Sequence, residues 1–203
     1  KVTDADNEAV VYAVGSMFKV GAQFDVTAPE SGHVAYAEES YDITWNNYSI
    51  NGVNAVSLYY TNDPYAAEVV WTPITTGAQN TGSFEWNPVP SALADLANKN
   101  RVRIAQYDPL NEAGTYVESE GDFSIKGKLI VTVPSNDEWA VGTPQRVKFQ
   151  KKGALQSVNV YYSYDGTEGH YTASPVNPSP LDISGAPNDG ATGEYWYDWT
   201  PAT

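Results

Sequence analysis

The chain has no cysteine among its 203 residues. Disulfides, thiolate nucleophiles and thiolate metal sites are excluded together. Histidine is nearly absent: His33 and His170 are the only two, and both sit in turn-like stretches among Gly, Ser and Asp. No Gly-x-Ser-x-Gly, His-Glu-x-x-His or phosphate-loop pattern occurs. A general base needs a nucleophile and an orienting acid held in geometry, and no cue places such groups together. The 25 acidic residues leave room for a carboxylate pair, but nothing singles two of them out. The expectation is a protein without catalytic residues. Positive charge is also scarce, with 11 Lys and Arg against those 25 acids and a net charge of −14. Phosphate backbones and anionic membranes are bound through Lys and Arg, so nucleic acid and membrane surfaces are poor partners. Long apolar runs are missing too. The longest are strand-sized, and no signal peptide or spanning segment is present.

What the chain does have is aromatic and β-branched residues in alternation. Tyr numbers 15, Trp 6 and Phe 5, with 13 Pro and 16 Gly to punctuate them. Val56, Leu58 and Tyr60 alternate with Ala55, Ser57 and Tyr59, the period-two mark of a half-buried strand. Tyr41, Ile43 and Trp45 alternate likewise, as do Phe84 and Trp86, and Val102 and Ile104 point away from Arg101 and Arg103. Asn51-Gly52, Asn62-Asp63-Pro64, Asp165-Gly166 and Asn188-Asp189-Gly190 carry turn chemistry between the runs. Ser91 to Asn100 is the one helix-like piece, with Leu93 and Leu96 at i, i+3 and Ser91 as its cap.

The alternation repeats at a spacing of about a hundred residues, the size of one sandwich domain. Phe24-Asp25-Val26-Thr27-Ala28-Pro29 returns as Leu129-Ile130-Val131-Thr132-Val133-Pro134, and Val56-x-Leu58-x-Tyr60 returns as Val158-x-Val160-x-Tyr162. Ile43 and Trp45 are matched by Val147 and Phe149, and Phe84-Glu85-Trp86-Asn87-Pro88 by Tyr197-Asp198-Trp199-Thr200-Pro201. The opening residues match the end of a repeat. Asn7-Glu8-Ala9 and Phe18-Lys19-Val20 echo Asn111-Glu112-Ala113 and Phe123-Ser124-Ile125. The pattern divides the chain into residues 1–22, the terminal strands of a preceding or neighbouring unit; 23–126, a complete sandwich; and 127–203, a sandwich lacking its last strands. The short junction Ile125-Lys126-Gly127-Lys128-Leu129 predicts two units held end to end.

The order of these signals resembles the immunoglobulin-like repeat found in tandem in microbial surface proteins. The type is also seen at the start of yeast cell-wall glucan-assembly and Ser/Thr-rich anchored proteins. The residues carrying it are Pro29, Ile43, Thr44, Trp45, Val56, Leu58, Tyr60, Gly82, Phe84, Trp86, Pro88, Arg103, Ile104, Asp122, Phe123 and Ile125. In the second unit they are Pro134, Val147, Phe149, Val158, Val160, Tyr162, Tyr197, Trp199 and Pro201, with Phe149 in place of the usual Trp. The resemblance implies an all-β fold of tandem immunoglobulin-like sandwiches, used outside the cell as a spacer or interaction module, with no catalytic residues.

The phase shift admits two accounts. The chain is an excerpt of a covalent array, or its opening segment completes the sandwich of a neighbouring copy by strand addition. In the second case Val10, Tyr12, Val14, Phe18 and Val20 are the donor residues. Either way the expected object is elongated and repetitive, built from other copies of itself or adjacent repeats, head to tail. An alternative is a carbohydrate-binding or adhesive surface module. Tyr59, Tyr161, Tyr164 and Trp196 fall on the outward phase of their strands, as stacking faces for polysaccharide or as contacts between units. No cofactor is required. Calcium is the one candidate, at Asp4, Asp6 and Glu8, whose oxygen ligands are spaced as hard cations prefer but without the EF-hand frame.

Overall fold

A computed structural model describes the chain except for residues 11, 17–22, 48–52, 95–98, 108–114, 164 and 203. Strands β1 (Val2–Thr3) and β2 (Tyr12–Ala13) form a short antiparallel hairpin. There follow β3 (Phe24–Ala28), β4 (Val34–Tyr36), β5 (Tyr41–Asn47), β6 (Ala55–Thr61), β7 (Thr72–Gln79) and β8 (Ser83–Trp86). After a single 3₁₀ turn at Ser91–Leu93 come β9 (Arg101–Gln106), β10 (Tyr116–Glu118) and β11 (Ser124–Lys126). The remainder holds β12 (Lys128–Val133), β13 (Gln145–Lys152), β14 (Ser157–Val158), β15 (Leu181–Asp182) and β16 (Tyr195–Trp199). The fold is all-β.

Up to β11, two sheets face each other. One runs β3-β5-β8 and the other β10-β9-β6-β7, every neighbouring pair antiparallel, while β11 lies parallel to β4 at the edge. The alternation in sequence decides what lies between them. Phe24, Ile43, Trp45 and Trp86 from the first sheet meet Val56, Leu58, Val102 and Ile104 from the second, all buried. Phe123 and Ile125 close the core from the β11 edge, both with no exposed surface. Tyr60 stacks on Trp86 at 5.2 Å, and the Trp45 indole N–H donates to Asn80 Oδ1 at 2.9 Å. A buried indole N–H left without an acceptor costs roughly 1–3 kcal/mol, so this bond makes Trp tolerable at the core.

The part after β11 reuses the plan with fewer strands. Its sheet is β12-β13-β16, and β14 pairs with β15 beside it. Phe149, Val158, Ile183 and Tyr195 form a second, smaller core, with Phe149 stacked on Tyr195 at 6.0 Å. The repeat extends to an irregularity: the ladder shifts between Val26 and Ala28 in β3 and again between Val131 and Val133 in β12. Bulges of this kind bend a strand at a fixed place.

The helix-like stretch is corrected at its start: among its described residues a single 3₁₀ turn forms at Ser91–Leu93, Pro90 precedes it, no side chain caps it, and Ala94 is already extended; residues 95–98, Leu96 among them, lie outside the described residues. Leu93 is nevertheless buried, as its apolar spacing requires.

The two cores meet at a tight joint. β11 and β12 are separated by Gly127 alone. The Ala37 N–H donates to the Lys126 carbonyl at 3.0 Å, and the Ala154 N–H to the Ser91 carbonyl at 3.2 Å. Glu38 adopts φ +60, and its neighbour Glu39 faces β12 and β13. There Glu39 Oε1 accepts from Lys128 Nζ at 3.0 Å and Lys152 Nζ at 2.9 Å. Those two lysines are cross-strand partners in the β12–β13 ladder. Among the described residues no helix is long and apolar enough to cross a membrane.

Candidate functional site

The two copies of the repeat differ most where one has strands that the other does not. In the first, β9 covers the edge of β6 along Ser57–Thr61, and Val102 and Ile104 fill the space over Leu58 and Tyr60. In the second, an open groove of about 470 Å³ occupies that place. Its floor and walls are apolar: Leu129, Val131, Val147, Phe149, Val158, Val160, Tyr162 and Trp199, with Trp139 at one side. These are the counterparts of the first core. Phe24 is 5% exposed and Leu129 is 46% exposed. Tyr60 packs against the first core, whereas Tyr162 is 40% exposed. Trp199 gathers the aromatic side of the groove, with Tyr162 at 5.1 Å and Trp139 at 6.1 Å between ring centres.

Backbone structure follows the same difference. The Val-x-Val-x-Tyr run from 158 to 162 matches β6 in pattern, yet only Ser157–Val158 is a strand. Likewise β4 exists in the first copy beside β11, while residues 137–140 form no strand. A ladder needs a partner, so the same pattern without β9 and β11 beside it remains irregular.

The expected donor residues lie at the opposite end of the chain. Val10, Tyr12 and Val14 are 73%, 58% and 70% exposed. Lys1 Nζ sits 5.1 Å from the Tyr12 ring centre. Phe18 and Val20 lie outside the described residues. Three aliphatic or aromatic side chains on one exposed segment and a groove of apolar walls elsewhere are both costly in water.

The outward aromatics do not form one row. Tyr59 lies on the outer face of the four-stranded sheet, opposite Arg103. Tyr161 lines the groove. Trp196 covers the Arg146 guanidinium at 4.5 Å, beside the Arg146–Asp198 ion pair of 2.7 Å. Tyr164 lies outside the described residues. The pattern did not reveal the stack beside Tyr59, where Arg103 is held between Trp71 at 4.0 Å and Tyr116 at 4.1 Å and paired to Glu118 at 2.6 Å. The outward phase of Arg103 was its only signal in the sequence.

The calcium candidates Asp4, Asp6 and Glu8 lie in the turn that follows β1. Asp4 Oδ1 accepts the Asp6 N–H at 3.0 Å, a local turn bond. Among the described residues no three His, Cys, Asp or Glu side chains converge as metal ligands. His33 packs against the Tyr41 ring at 5.1 Å. His170 belongs to a loop with a carboxylate at its centre. Its Nδ1 lies 2.8 Å from Asp165 Oδ2, and the Ser163 hydroxyl donates to Asp165 Oδ1 at 2.8 Å. The acid stands between hydroxyl and imidazole. A hydrolytic triad places the imidazole between the other two, whereas here the carboxylate lies between the Ser163 hydroxyl and the His170 ring.

No protein-family model matches the chain, and no curated protein matches it. Among solved structures, the fibronectin(III)-like modules of Clostridium thermocellum CbhA are similar at 12% identity, over 86% of this chain and 78% of that one, with a TM-score of 0.32. A similarity that low bears on neither fold nor function; the immunoglobulin-like arrangement rests on the strand order and packing described above.

Proposed function

We propose that this is a structural, non-enzymatic extracellular protein whose immunoglobulin-like sandwiches build an elongated, head-to-tail object. The observation that carries the reading is the apolar groove lined by Val160, Tyr162 and Trp199, at the place where the first copy holds β9 and its successors. Strand addition into such an edge satisfies main-chain groups and covers the core in one step. Each aliphatic or aromatic side chain taken fully out of water contributes about 1.5–3 kcal/mol, and several line the groove.

The donor in this reading is the opening segment of a neighbouring copy, with Val10, Tyr12 and Val14 as its described apolar residues. The contact is heterologous, so it propagates. The joint around Glu39 supports a stiff building block, because ion pairs and main-chain bonds both cross it. Surface polysaccharide is not favoured as a ligand, since Tyr59, Tyr161 and Trp196 lie in three separate places. The resemblance to microbial surface repeats fits the same role and supports an extracellular setting.

The test is the mass of the full chain in solution against concentration. Val10→Asp/Tyr12→Asp/Val14→Asp and, separately, Val160→Asp are each expected to hold the protein as a monomer while wild type grows. Wild type that stays monomeric at high concentration contradicts assembly by strand addition.

A further inference from the structure

A pull along the chain enters the first unit at Phe24, where β3 starts, and leaves it through Lys126 and Gly127 into β12. β3 is held on β5 by a short ladder that is interrupted between Val26 and Ala28. Beyond β3 the entering and leaving segments are bonded directly to each other, as β4 and β11. These two strands are parallel, with Ser124, Ile125 and Lys126 opposite Val34, Ala35 and Tyr36. Tension draws β4 back toward its start and β11 onward past its end. The strands run the same way, so the two pulls oppose each other along one axis. The bonds between them then carry the load together. Pulled from a shared end, the same bonds would open one after another, each at a small force.

The contact is longer than the ladder. The Gly32 N–H donates to the Asp122 carbonyl at 2.7 Å, the Ser124 N–H to the His33 carbonyl at 2.8 Å, and the Ala37 N–H to the Lys126 carbonyl at 3.0 Å. At its start Gly121 lies against Ser31 with no room for a side chain. Phe123, Ile125, Ala35 and Ala37 are all buried, so from the core side water cannot replace a strained bond, and main-chain bonds are stronger in that setting. Just past β4, Glu39 is bonded to Lys128 of β12 and Lys152 of β13. A pull on β12 therefore reaches the end of β4 as well as the end of β11, and the load is shared.

We propose that the first unit is a tension-bearing element, and that the parallel β4–β11 pair is the shear latch through which it passes load to the next unit. Its resistance depends on the direction of the pull, not only on the number of bonds. The property belongs to the single chain and goes beyond the assembly reading, since it holds however copies are joined.

The lack of cysteine allows handles to be placed singly. Full chains are stretched one at a time between Gln23→Cys and Ala202→Cys, which loads the latch in shear. A second set is stretched between Gln23→Cys and Glu120→Cys, which pulls β4 and β11 from the same end. Opening of the first unit releases roughly 35 nm of chain and opening of the second roughly 25 nm, at about 3.5 Å per residue, so the two events are told apart. Forced opening reads the unfolding barrier and not the equilibrium stability. The first-unit event is expected at about twofold higher force, or more, in shear than in the same-end geometry. Ser124→Pro, which removes the donor to His33, is expected to lower the shear force. Equal forces in the two geometries overturn the proposal, as does a folded Ser124→Pro variant that keeps the full shear force. The geometry comparison leaves every latch bond in place, so it decides even where Ser124→Pro does not fold. Single tethered molecules cannot assemble, so failure here leaves the assembly reading to its own light-scattering test.

Discussion

Gly153 lies against Ala94 across the joint so closely that a Cβ on Gly153 would stand 2.6 Å from the Ala94 Cβ. The same atom would stand 3.1 Å from the Ala37 Cβ, and Gly153 holds φ +81. Both facts demand glycine: a side chain would meet two methyl groups, and the backbone is in the left-handed region. Gly127 is restricted in the same way, its missing Cβ pointing at the Leu155 side chain 2.5 Å away.

Gly153→Val is therefore expected to open the joint without unfolding either core. Strain at a left-handed position together with overpacking costs about 1–3 kcal/mol. Small-angle scattering should show a wider distribution of dimensions in the variant, with near-ultraviolet circular dichroism of Trp45 and Trp86 preserved. An unchanged scattering profile would mean that the close approach is not what fixes the two units.

Glu39→Gln removes the carboxylate that Lys152 and Lys128 hold below the ordinary range by their hydrogen bonds. The pairs are partly exposed, so their contribution is small and is screened by salt. The expected effect is smaller than that of Gly153→Val and disappears at about 1 M salt, where the Debye length is only about 3 Å. A variant effect of equal size at low and high salt would contradict an electrostatic origin. The sign with pH follows from a depressed carboxyl: its contribution is present above the ordinary carboxylate range and is lost as the pH falls through the lowered value.

Much of this architecture is legible in the alternating residues. Val56 and Leu58, Val102 and Ile104, and Ile43 and Trp45 are buried as their phase requires, because a one-residue slip would turn each set to water. The joint is not legible. Glu39 meets Lys128 and Lys152 across 89 and 113 residues, and no local pattern encodes a contact at that distance. Nor is the groove: Val158-x-Val160-x-Tyr162 reads like Val56-x-Leu58-x-Tyr60, yet the strand ends at Val158, and among the described residues no counterpart of β9 lies beside it. At Ser91–Leu93 the single 3₁₀ turn ends where Ala94 takes an extended backbone, φ −63 and ψ 139, which the apolar spacing of that stretch does not reveal.

The loop at the edge of the groove is set by Asp165. His170, the Thr167 N–H and the Ser163 hydroxyl hold its carboxyl down at about 2. The unfolded value is about 3.9. A depressed carboxyl stabilises the folded loop above about pH 4, and that contribution fades as the pH falls toward 2. A carbon-detected NMR titration of Asp165 should give a midpoint near 2, moving up in His170→Ala. A midpoint near 4 in wild type would mean that the loop bonds do not form in solution.

Leu58→Ala and Val160→Ala test how different the two cores are. Leu58 has no exposed surface, so its truncation leaves a cavity and costs about 2–5 kcal/mol. Val160 lines an open groove, and in the unassembled chain its truncation should cost well under half as much. Chemical denaturation monitored at both cores separates the two transitions. Equal losses would show that the groove is closed in solution.

The central claim is that one copy gives and another receives. It is tested most directly by mixing two variants that are each monomeric. Val10→Asp/Tyr12→Asp/Val14→Asp keeps a sound groove and spoils the donor, while Val160→Asp keeps the donor and spoils the groove. Light scattering of the equimolar mixture should give the mass of a 1:1 dimer and nothing larger, since only one donor and one groove remain competent. A mixture that stays monomeric under conditions where wild type assembles, or that grows beyond a dimer, would contradict head-to-tail strand addition through this groove.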